Sequence, residues 1–261
     1  MKKSLFALFL FFSALPLLAV EHEREITVMT YNILSGQRTS LERLAQEIKE
    51  ALPDFVAIQE LDVNTMREVA KGHNRVNCIN RLAELTGMFG YYGRTCDYWD
   101  GWYGIGLLSK HPMISVRKFD LPNPKNVELR ILLIGQFEID GSADHVTFVS
   151  THFDYIDAET IAQQAEAASA ELRRLDGPVI IAGDLNSDPS SKAIAVLTKD
   201  FKDLSCPDNT FPAWAPEAKI DWILGYPAAD LSLVRSYVPE KSENAASDHL
   251  PVVSTVKVRF K

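Results

Sequence analysis

The chain has 261 residues, of which 46% are hydrophobic, so it is long enough to bury the core of one large α/β domain. Asp and Glu outnumber Lys and Arg by 35 to 27, and the formal net charge is −8. This balance argues against a broad basic face for tight, metal-free binding of DNA. It disfavours a nucleic-acid substrate without excluding one, because a bound metal ion supplies positive charge of its own.

The first 19 residues are predicted to be a signal peptide. Lys2 and Lys3 precede an apolar run, residues 5–18, that ends in small or apolar side chains. A membrane anchor is the alternative, but the run is short for a span, contains Pro16 and is followed at once by charged residues. We therefore expect cleavage near Ala19 and a secreted or periplasmic mature chain that has no transmembrane segment and is a monomer.

The mature chain alternates between strand-like and helix-like apolar patterns. Short apolar runs and period-two alternation predict strands at 25–34, 55–60, 103–109, 114–121, 129–139, 146–152, 179–184, 220–224 and 252–258. Helical spacing predicts helices at 40–51, 76–86 and 158–175, and a further helix is expected to begin near Pro189. Consecutive strands in the middle of the chain predict antiparallel pairing. The pattern indicates an α/β fold, a four-layer sandwich in which two mixed β-sheets pack face to face with helices outside, formed by a single domain of residues 20–261.

Polar side chains stand where these predicted strands end, and they are Asn32, Glu60, His152, Asp184, Asn186, Asp221, Asp248 and His249. Singly, each has an ordinary structural explanation, such as a turn for Asn32, a cap for Glu60 or an edge position for His152. Strand ends can converge on one rim of a packed sheet although they are far apart in sequence. Acids, amides and two histidines on one rim indicate a hydrolytic site.

The motifs around these residues resemble those of the endonuclease/exonuclease/phosphatase family, which has the deoxyribonuclease I-like fold. The motifs are Thr30-Tyr31-Asn32-Ile33, Ile58-Gln59-Glu60, Tyr103-Gly104-Ile105-Gly106-Leu107-Leu108-Ser109, Ser150-Thr151-His152, Ala182-Gly183-Asp184-Leu185-Asn186, Ile220-Asp221-Trp222-Ile223 and Ser247-Asp248-His249-Leu250-Pro251. They follow the order of the family and extend over nearly the whole mature chain. One departure is Leu34, because the abasic-site nucleases of the family carry an acid there, and this difference weakens a DNA-repair interpretation.

The resemblance implies a metal site at Glu60, with Asn32 and Asp248 helping to hold the ion and its waters. The oxygen ligands suit Mg²⁺, or Mn²⁺ in its place. The remaining residues have the following implied catalytic roles. Asp184 positions and deprotonates the attacking water, Asn186 donates to a phosphate oxygen, Asp221 orients His249, and His152 is the second imidazole of the site.

Three further residues are candidates for binding the substrate. Arg130, near Glu128, is a candidate phosphate clamp, and a solvated strand residue is the equal alternative. Trp102 and Tyr103, with Trp99 nearby, are candidates for the entrance, where they would stack on a base or contact lipid. Packing within the loop explains these aromatic residues equally well.

The expected function is that of an exported, divalent-metal-dependent hydrolase of phosphate esters, of phosphodiesterase type, which uses in-line attack of water. A non-catalytic protein that binds phosphate or a lipid headgroup on the same fold is one alternative, and a secreted nuclease is another. Nucleic acid, lipid headgroups and small phosphorylated molecules all remain candidate substrates. A Walker-type nucleotide hydrolase and a Ser-His-Asp esterase are excluded, because the chain has neither G-x-x-x-x-G-K-[ST] nor G-x-S-x-G.

Cysteine spacing gives one more expectation. Export favours oxidation, and Cys78 and Cys96 bracket one helix and loop, so we predict a disulfide between them. The alternative is that all three cysteines of the chain are free thiols.

Overall fold

A computed structural model describes residues 22–70, 72–139 and 144–260, and the predicted signal peptide lies outside these ranges. The first half of the chain forms β1 (His22–Asn32), α1 (Leu41–Ala51), β2 (Phe55–Val63), α2 (Cys78–Thr86), β3 (Phe89–Tyr98), β4 (Gly101–Ser109), β5 (Met113–Asp120) and β6 (Ile131–Glu138). The second half forms β7 (His145–His152), α3 (Ala158–Leu172), β8 (Val179–Asp184), α4 (Lys192–Leu197), β9 (Lys202–Asp203), β10 (Asp221–Tyr226), β11 (Leu231–Tyr237) and β12 (Val252–Phe260). No helix among the described residues is long and apolar enough to cross a membrane.

The strands form two six-stranded sheets. The first has the order β11-β12-β1-β2-β4-β3, and the second has the order β5-β6-β7-β8-β10-β9. Each sheet is mixed, because β1 and β2 in the first and β7 and β8 in the second are parallel, while their other pairs are antiparallel. The sequence-based prediction of an α/β sandwich with two mixed sheets is confirmed.

Alternation along the central strands divides the core between layers. In β2, Phe55 and Ala57 belong to the cluster between the sheets, whereas Val56 and Ile58 belong to the cluster beneath α1 and α2. Side chains of α3 and α4 cover the other face of the second sheet. Because β2 is buried on both faces, its sequence is an apolar run rather than an alternating one. Each fully buried large aliphatic or aromatic side chain contributes roughly 1.5–3 kcal/mol relative to its exposed state.

The helices begin at side-chain caps. Ser40 accepts a hydrogen bond from the backbone N–H of Arg43 at the start of α1, and Ser191 does the same for Ile194 in α4. Leu52 closes α1 in a left-handed conformation, directly before Pro53, which cannot continue the helix. The helices that apolar spacing predicted therefore begin and end at local caps and breakers.

The predicted disulfide is not formed, because all three cysteines are free thiols in the structure. Cys78 is the first residue of α2 and is buried among apolar side chains, where its thiol donates to the Val76 carbonyl at 3.8 Å. Cys96 lies in β3 and pairs with Tyr103 of β4. Burial raises the pKa of the Cys78 thiol to about 12. The two cysteines are therefore held in separate elements by packing and strand pairing rather than by a covalent bond.

Candidate active site

Strand register places three of the predicted site residues side by side in the second sheet. His152 at the end of β7 pairs with Asp184 at the end of β8, and Asp184 pairs with Asp221 at the start of β10. Register partners on neighbouring strands project their side chains together. Gly183 permits the backbones of β7 and β8 to approach closely at this point, because a Cβ on residue 183 would lie only 2.1 Å from the Thr151 carbonyl oxygen.

Glu60 lies at the facing edge of the first sheet, in a bulge where the pairing of β2 with β4 shifts between Ile58 and Leu61. Its φ of 54° is left-handed, a conformation that costs a non-glycine residue on the order of 1–3 kcal/mol and concentrates at functional sites. The amide Nδ2 of Asn32 donates to Glu60 Oε1 at 3.2 Å and to Asp184 Oδ2 at 3.1 Å. Asn32 therefore joins the ends of the two sheets.

The segment before β12 brings Asp248 and His249 to the same edge. Ser247 Oγ donates to the Asn32 carbonyl at 2.7 Å and lies 3.2 Å from Asp248 Oδ1. The backbone N–H of Ala213 donates to the Asp248 carbonyl at 2.7 Å. Both ends of this short segment are thereby tied to neighbouring elements, which fixes the two side chains before any ligand binds.

His249 and Asp221 form a buried pair. His249 Nδ1 is 2.9 Å from Asp221 Oδ2, which also accepts a hydrogen bond of 2.5 Å from Thr210 Oγ. Burial alone would lower the pKa of His249, but the carboxylates of Asp221 and Asp184 outweigh it and raise the pKa to about 10. His249 is thus a protonated imidazolium, with its Nε2 directed towards Asp184 Oδ2 at 3.6 Å.

Asp184 lies between two imidazoles with opposite properties. Burial raises the pKa of Asp184, and its Oδ1 accepts the backbone N–H of Asn186 at 2.9 Å. His152 Nε2 lies 3.5 Å from Asp184 Oδ2, and burial together with the charges of Arg130 and His249 lowers the pKa of His152, so that its ring is neutral. The Nδ1 atom of His152 is buried without a hydrogen-bond partner among the described residues. A carboxylate with a raised pKa beside a neutral and a charged imidazole is suited to moving protons.

These side chains open into one cavity of about 390 Å³. Its lining residues are Glu60, Arg67, Tyr98, Tyr103, Glu128, Arg130, His152, Tyr155, Asp184, Asn186, Phe211, Asp248 and His249. Arg130 is only 4% exposed, its Nη1 is 3.3 Å from Glu128 Oε1, and its Nε has no hydrogen-bond partner among the described residues. A buried guanidinium with an unused donor is a suitable anion ligand, because an unsatisfied buried donor gains the most from a new acceptor.

The two residues predicted at the entrance are placed differently. Tyr103 lines the cavity, whereas its neighbour Trp102 does not; the Trp102 ring is 41% exposed and lies under the Arg94 guanidinium, 5.1 Å from it. Successive residues of a strand face opposite sides, so Tyr103 and Trp102 cannot both face the cavity. Asn32 and Asp221 act from behind the lining residues through their bonds to Asp184 and His249. Five lining residues were not predicted from the sequence to belong to the site, namely Arg67, Tyr98, Glu128, Tyr155 and Phe211.

The carboxylates of Glu60 and Asp248 fit a divalent cation. Burial raises the pKa of Glu60, and the negative charge of Asp248 raises it further. Asn32 Oδ1 accepts one hydrogen bond, from the Leu34 backbone N–H, and a carbonyl oxygen keeps a second lone pair. Asp184, Asp221 and His249 also bring ligand-type atoms within 4.8 Å of one another. In that cluster His249 Nδ1 and Asp221 Oδ2 already face each other at 2.9 Å, so Glu60 and Asp248 are the better-fitting pair of ligands.

The fold is an α/β sandwich, and its site combines a histidine–aspartate pair with facing carboxylates at one rim. This combination is typical of a class of hydrolytic enzymes, and comparison with known families identifies the class. Residues 29–249 match the Endonuclease/Exonuclease/phosphatase family. The match extends over most of the chain and includes every residue of the site, from Asn32 to His249. The chain therefore belongs to this family, as its motifs predicted.

Solved structures of the same family share the fold. An endonuclease/exonuclease/phosphatase from Bacteroides vulgatus has a TM-score of 0.73 and 21% identity, covering 90% of this chain and 99% of that one. The mannosyl-6-phosphatase of Bacteroides thetaiotaomicron has a TM-score of 0.69 and 19% identity, covering 88% and 99%. ANGEL2, a 2',3'-cyclic phosphatase solved with adenosine-2',3'-vanadate, has a TM-score of 0.68 and 14% identity, covering 92% and 99%. At these identities the likeness concerns the fold.

Proposed function

We propose that the protein is an exported, divalent-metal-dependent hydrolase of phosphate esters and that phosphodiesters are its substrates. One observation carries the proposal. A single cavity joins the buried His249–Asp221 pair, the carboxylate of Asp184 and the unused guanidinium donor of Arg130. An anionic ester repels hydroxide, so its hydrolysis needs neutralising charge and a base in one place.

The side chains divide this chemistry between them. Asp184, whose pKa burial raises, accepts a proton from the attacking water. As water attacks, the bond between phosphorus and the leaving alcohol oxygen breaks, and His249 gives its proton to that oxygen while Asp221 keeps the ring in its orientation. Arg130 donates a hydrogen bond to a phosphate oxygen as negative charge develops there. Mg²⁺ or Mn²⁺, held by Glu60, Asp248 and Asn32, would add Lewis-acid stabilisation of the same charge.

Asn186 helps to position the Asp184 carboxylate. Its φ of 47° is left-handed, its backbone N–H binds Asp184, and its Nδ2 donates to the Phe153 carbonyl at 3.0 Å. We propose that Asn186 donates to a phosphate oxygen when substrate binds, at the expense of the Phe153 bond. Its strained backbone supports this role, since such conformations concentrate where ligands bind.

The similar structures support a hydrolase of phosphate monoesters or of phosphate diesters. The mannosyl-6-phosphatase is named for a monoester, and ANGEL2 is named for a cyclic diester. The acidic net charge of the chain disfavours a secreted nuclease. A binding protein without catalysis would not need a base such as Asp184 next to two imidazoles, and this arrangement favours an enzyme.

The test is a substrate screen on the purified protein with Mg²⁺. Bis(p-nitrophenyl) phosphate, p-nitrophenyl phosphate, duplex DNA and sphingomyelin would represent diesters, monoesters, nucleic acid and lipid. We expect turnover of the diester, and its loss in Asp184→Asn with unchanged circular dichroism. Turnover of none of the four would contradict the proposed hydrolase, and turnover of the monoester alone would contradict the diester preference.

A further inference from the structure

One wall of the active-site cavity is made by residues to which the proposed chemistry assigns no role. Arg67, from the segment between β2 and α2, and Tyr98, at the end of β3, both line the cavity. Trp99 does not line the cavity itself; it lies at the tip of the β3–β4 hairpin beside the cavity, with its ring centroid 6.3 Å from that of Tyr98. We call Arg67, Tyr98 and Trp99 the side wall.

Arg67 is held in a fixed orientation. Its Nε and Nη2 donate to the two carboxylate oxygens of Asp62 at 2.8 and 3.1 Å. Asp62 is buried and accepts further hydrogen bonds from Thr65 Oγ and Ser35 Oγ. The guanidinium lies over the Tyr98 ring, 4.5 Å from its centroid. Among the described residues, Arg67 Nη1 has no hydrogen-bond partner, so one donor remains for a ligand.

The hairpin tip is unusual for its residue types. Trp99 and Asp100 have φ values of 43° and 59°, the left-handed pair of a two-residue turn that normally contains Asn-Gly or Asp-Gly. A tryptophan in this position is strained, and yet its ring is 54% exposed and gains little from packing. A strained and exposed aromatic residue indicates a contact outside the folded chain.

The tip is also anchored to the segment that carries Arg67. The backbone N–H of Met66 donates to the Trp99 carbonyl at 2.7 Å. Gly101 packs so closely that a Cβ would lie 2.5 Å from Asn64 and Thr65 backbone atoms. The side wall is therefore a preorganised surface, and preorganisation reduces the entropy lost when a ligand binds.

We infer that the side wall binds the alcohol portion of the phosphate ester and that this portion is a hydroxylated ring, such as a sugar. The inference rests on the proposed function and assigns specificity within it. Asp62 neutralises Arg67, so the pair suits a neutral hydroxyl group better than a second anion. Aromatic rings pack against the apolar face of a sugar, and Tyr98 and Trp99, inclined at 71°, form no parallel slot for a flat base.

The size of the cavity agrees with such a ligand. Its volume of about 390 Å³ is at the small end of ligand pockets and suits one phosphorylated ring rather than a polymer. Tyr103 and Tyr155 add hydroxyl groups to the same lining. The side wall and these two tyrosines together supply both the apolar and the hydrogen-bonding contacts that a sugar requires.

The test compares esters that differ only in the alcohol. Hexose 6-phosphate and its methyl diester are compared with ethyl phosphate and ethyl methyl phosphate, in the Mg²⁺-loaded enzyme, by phosphorus NMR. The variants are Arg67→Lys, which keeps the charge next to Asp62, and Trp99→Asn, which suits the left-handed turn. Phe89→Asn is the matched control, because Phe89 is an exposed aromatic residue at the far end of β3.

We expect the ratio of kcat/KM for hexose esters to kcat/KM for ethyl esters to fall by about 10-fold in each side-wall variant. The ratio should not change in Phe89→Asn. Equal losses on both kinds of ester, or no loss on either, would overturn the subsite. Loss of binding to phosphatidylcholine vesicles in Trp99→Asn, with an unchanged ester ratio, would replace the sugar with a lipid surface and also overturn it.

A binding measurement separates this inference from the proposed function. Isothermal titration of hexose 6-phosphate into the Mg²⁺-loaded protein should give a Kd that both side-wall variants raise by about 10-fold. If the wild type binds with this pattern but hydrolyses none of the esters, the proposed function fails and the subsite stands. If it hydrolyses the esters but the Kd is insensitive to both variants, the subsite fails alone.

Discussion

Replacing His249 and Asp221 singly and together tests how the central pair works. His249→Ala removes an acid–base imidazole and should reduce kcat by about 10²–10⁴-fold, or roughly 3–5 kcal/mol. Asp221→Asn should impair the same step, because the 2.9 Å contact from Asp221 Oδ2 fixes the His249 ring. If the two residues act as one unit, the double variant should be little slower than His249→Ala. If the two residues act independently, the loss of kcat in the double variant should instead equal the product of the two single losses.

Stability gives a second measure of the same pair. Asp221 is 1% exposed, and its Oδ1 already lacks a hydrogen-bond partner among the described residues. His249→Ala removes its charged partner, so the free energy of unfolding should fall by about 3–5 kcal/mol. Adding Asp221→Asn should recover part of this loss, because the buried charge is gone.

The assays are steady-state kinetics on bis(p-nitrophenyl) phosphate and urea unfolding. His249→Asn, which can keep a donor towards Asp221, controls for folding. His73→Ala is the matched control for loss of a buried histidine, since His73 contacts the Thr39 carbonyl outside the cavity and its removal should leave kcat unchanged. Fully multiplicative kinetic losses would refute the pairing. An unchanged kcat in His249→Ala would refute the catalytic role of His249 itself.

Three further predictions concern the metal site, the cysteines and a helix cap. Glu60→Gln and Asp248→Asn should each raise the Mg²⁺ concentration for half-maximal activity at least about 10-fold, and equal Mg²⁺ dependence in wild type and variants would contradict their role as ligands. All three cysteines should react with a thiol reagent in denaturant without reductant. In the native protein at pH 8, Cys78 should react more slowly than Cys96, because it is buried and its pKa is about 12; a missing pair of thiols would instead indicate a disulfide. Ser40→Ala should lower the unfolding free energy by about 1 kcal/mol through loss of the α1 cap, without changing kcat, and an unchanged urea midpoint would show that the cap contributes nothing.

The sequence could predict the site residues of the second sheet because local patterns and strand register agree. The apolar run of β8 ends at Asp184, and the runs of β7 and β10 end and begin at His152 and Asp221. Once these strands are neighbours, their register brings the three side chains together. The helices were predictable for a similar reason, since the apolar spacing along each of them is a local signal.

Three edge strands, β3, β9 and β11, could not be predicted because they lack a strong apolar pattern. β9 has only two residues, Lys202–Asp203. β3 is an edge strand with glycines at positions 90 and 93, and a Cβ at Gly90 would lie 3.0 Å from Ala83 of α2. β11 is also an edge strand, and most of its residues are exposed. An edge strand needs fewer buried side chains, so its sequence carries less of the pattern from which a strand is recognised.

Arg67 could not be predicted for a different reason. Nothing in its local sequence distinguishes it from a solvated arginine, and its position depends on the buried carboxylate of Asp62 and on the ring of Tyr98 from another strand. Trp102, in contrast, was predicted to lie at the entrance, and the structure places it outside the cavity lining. Period-two alternation from Tyr103 would have placed it on the other face of β4, where the structure has it.

The most direct test of metal-dependent ester hydrolysis at this site is a reconstitution assay. The purified protein is stripped with a chelator, and its rate on bis(p-nitrophenyl) phosphate is measured before and after excess Mg²⁺ is restored, next to Asp184→Asn. The account predicts that wild-type activity disappears with the chelator and returns with Mg²⁺, while Asp184→Asn stays inactive although it binds Mg²⁺. Full activity in excess chelator, or wild-type rates in Asp184→Asn, would contradict it.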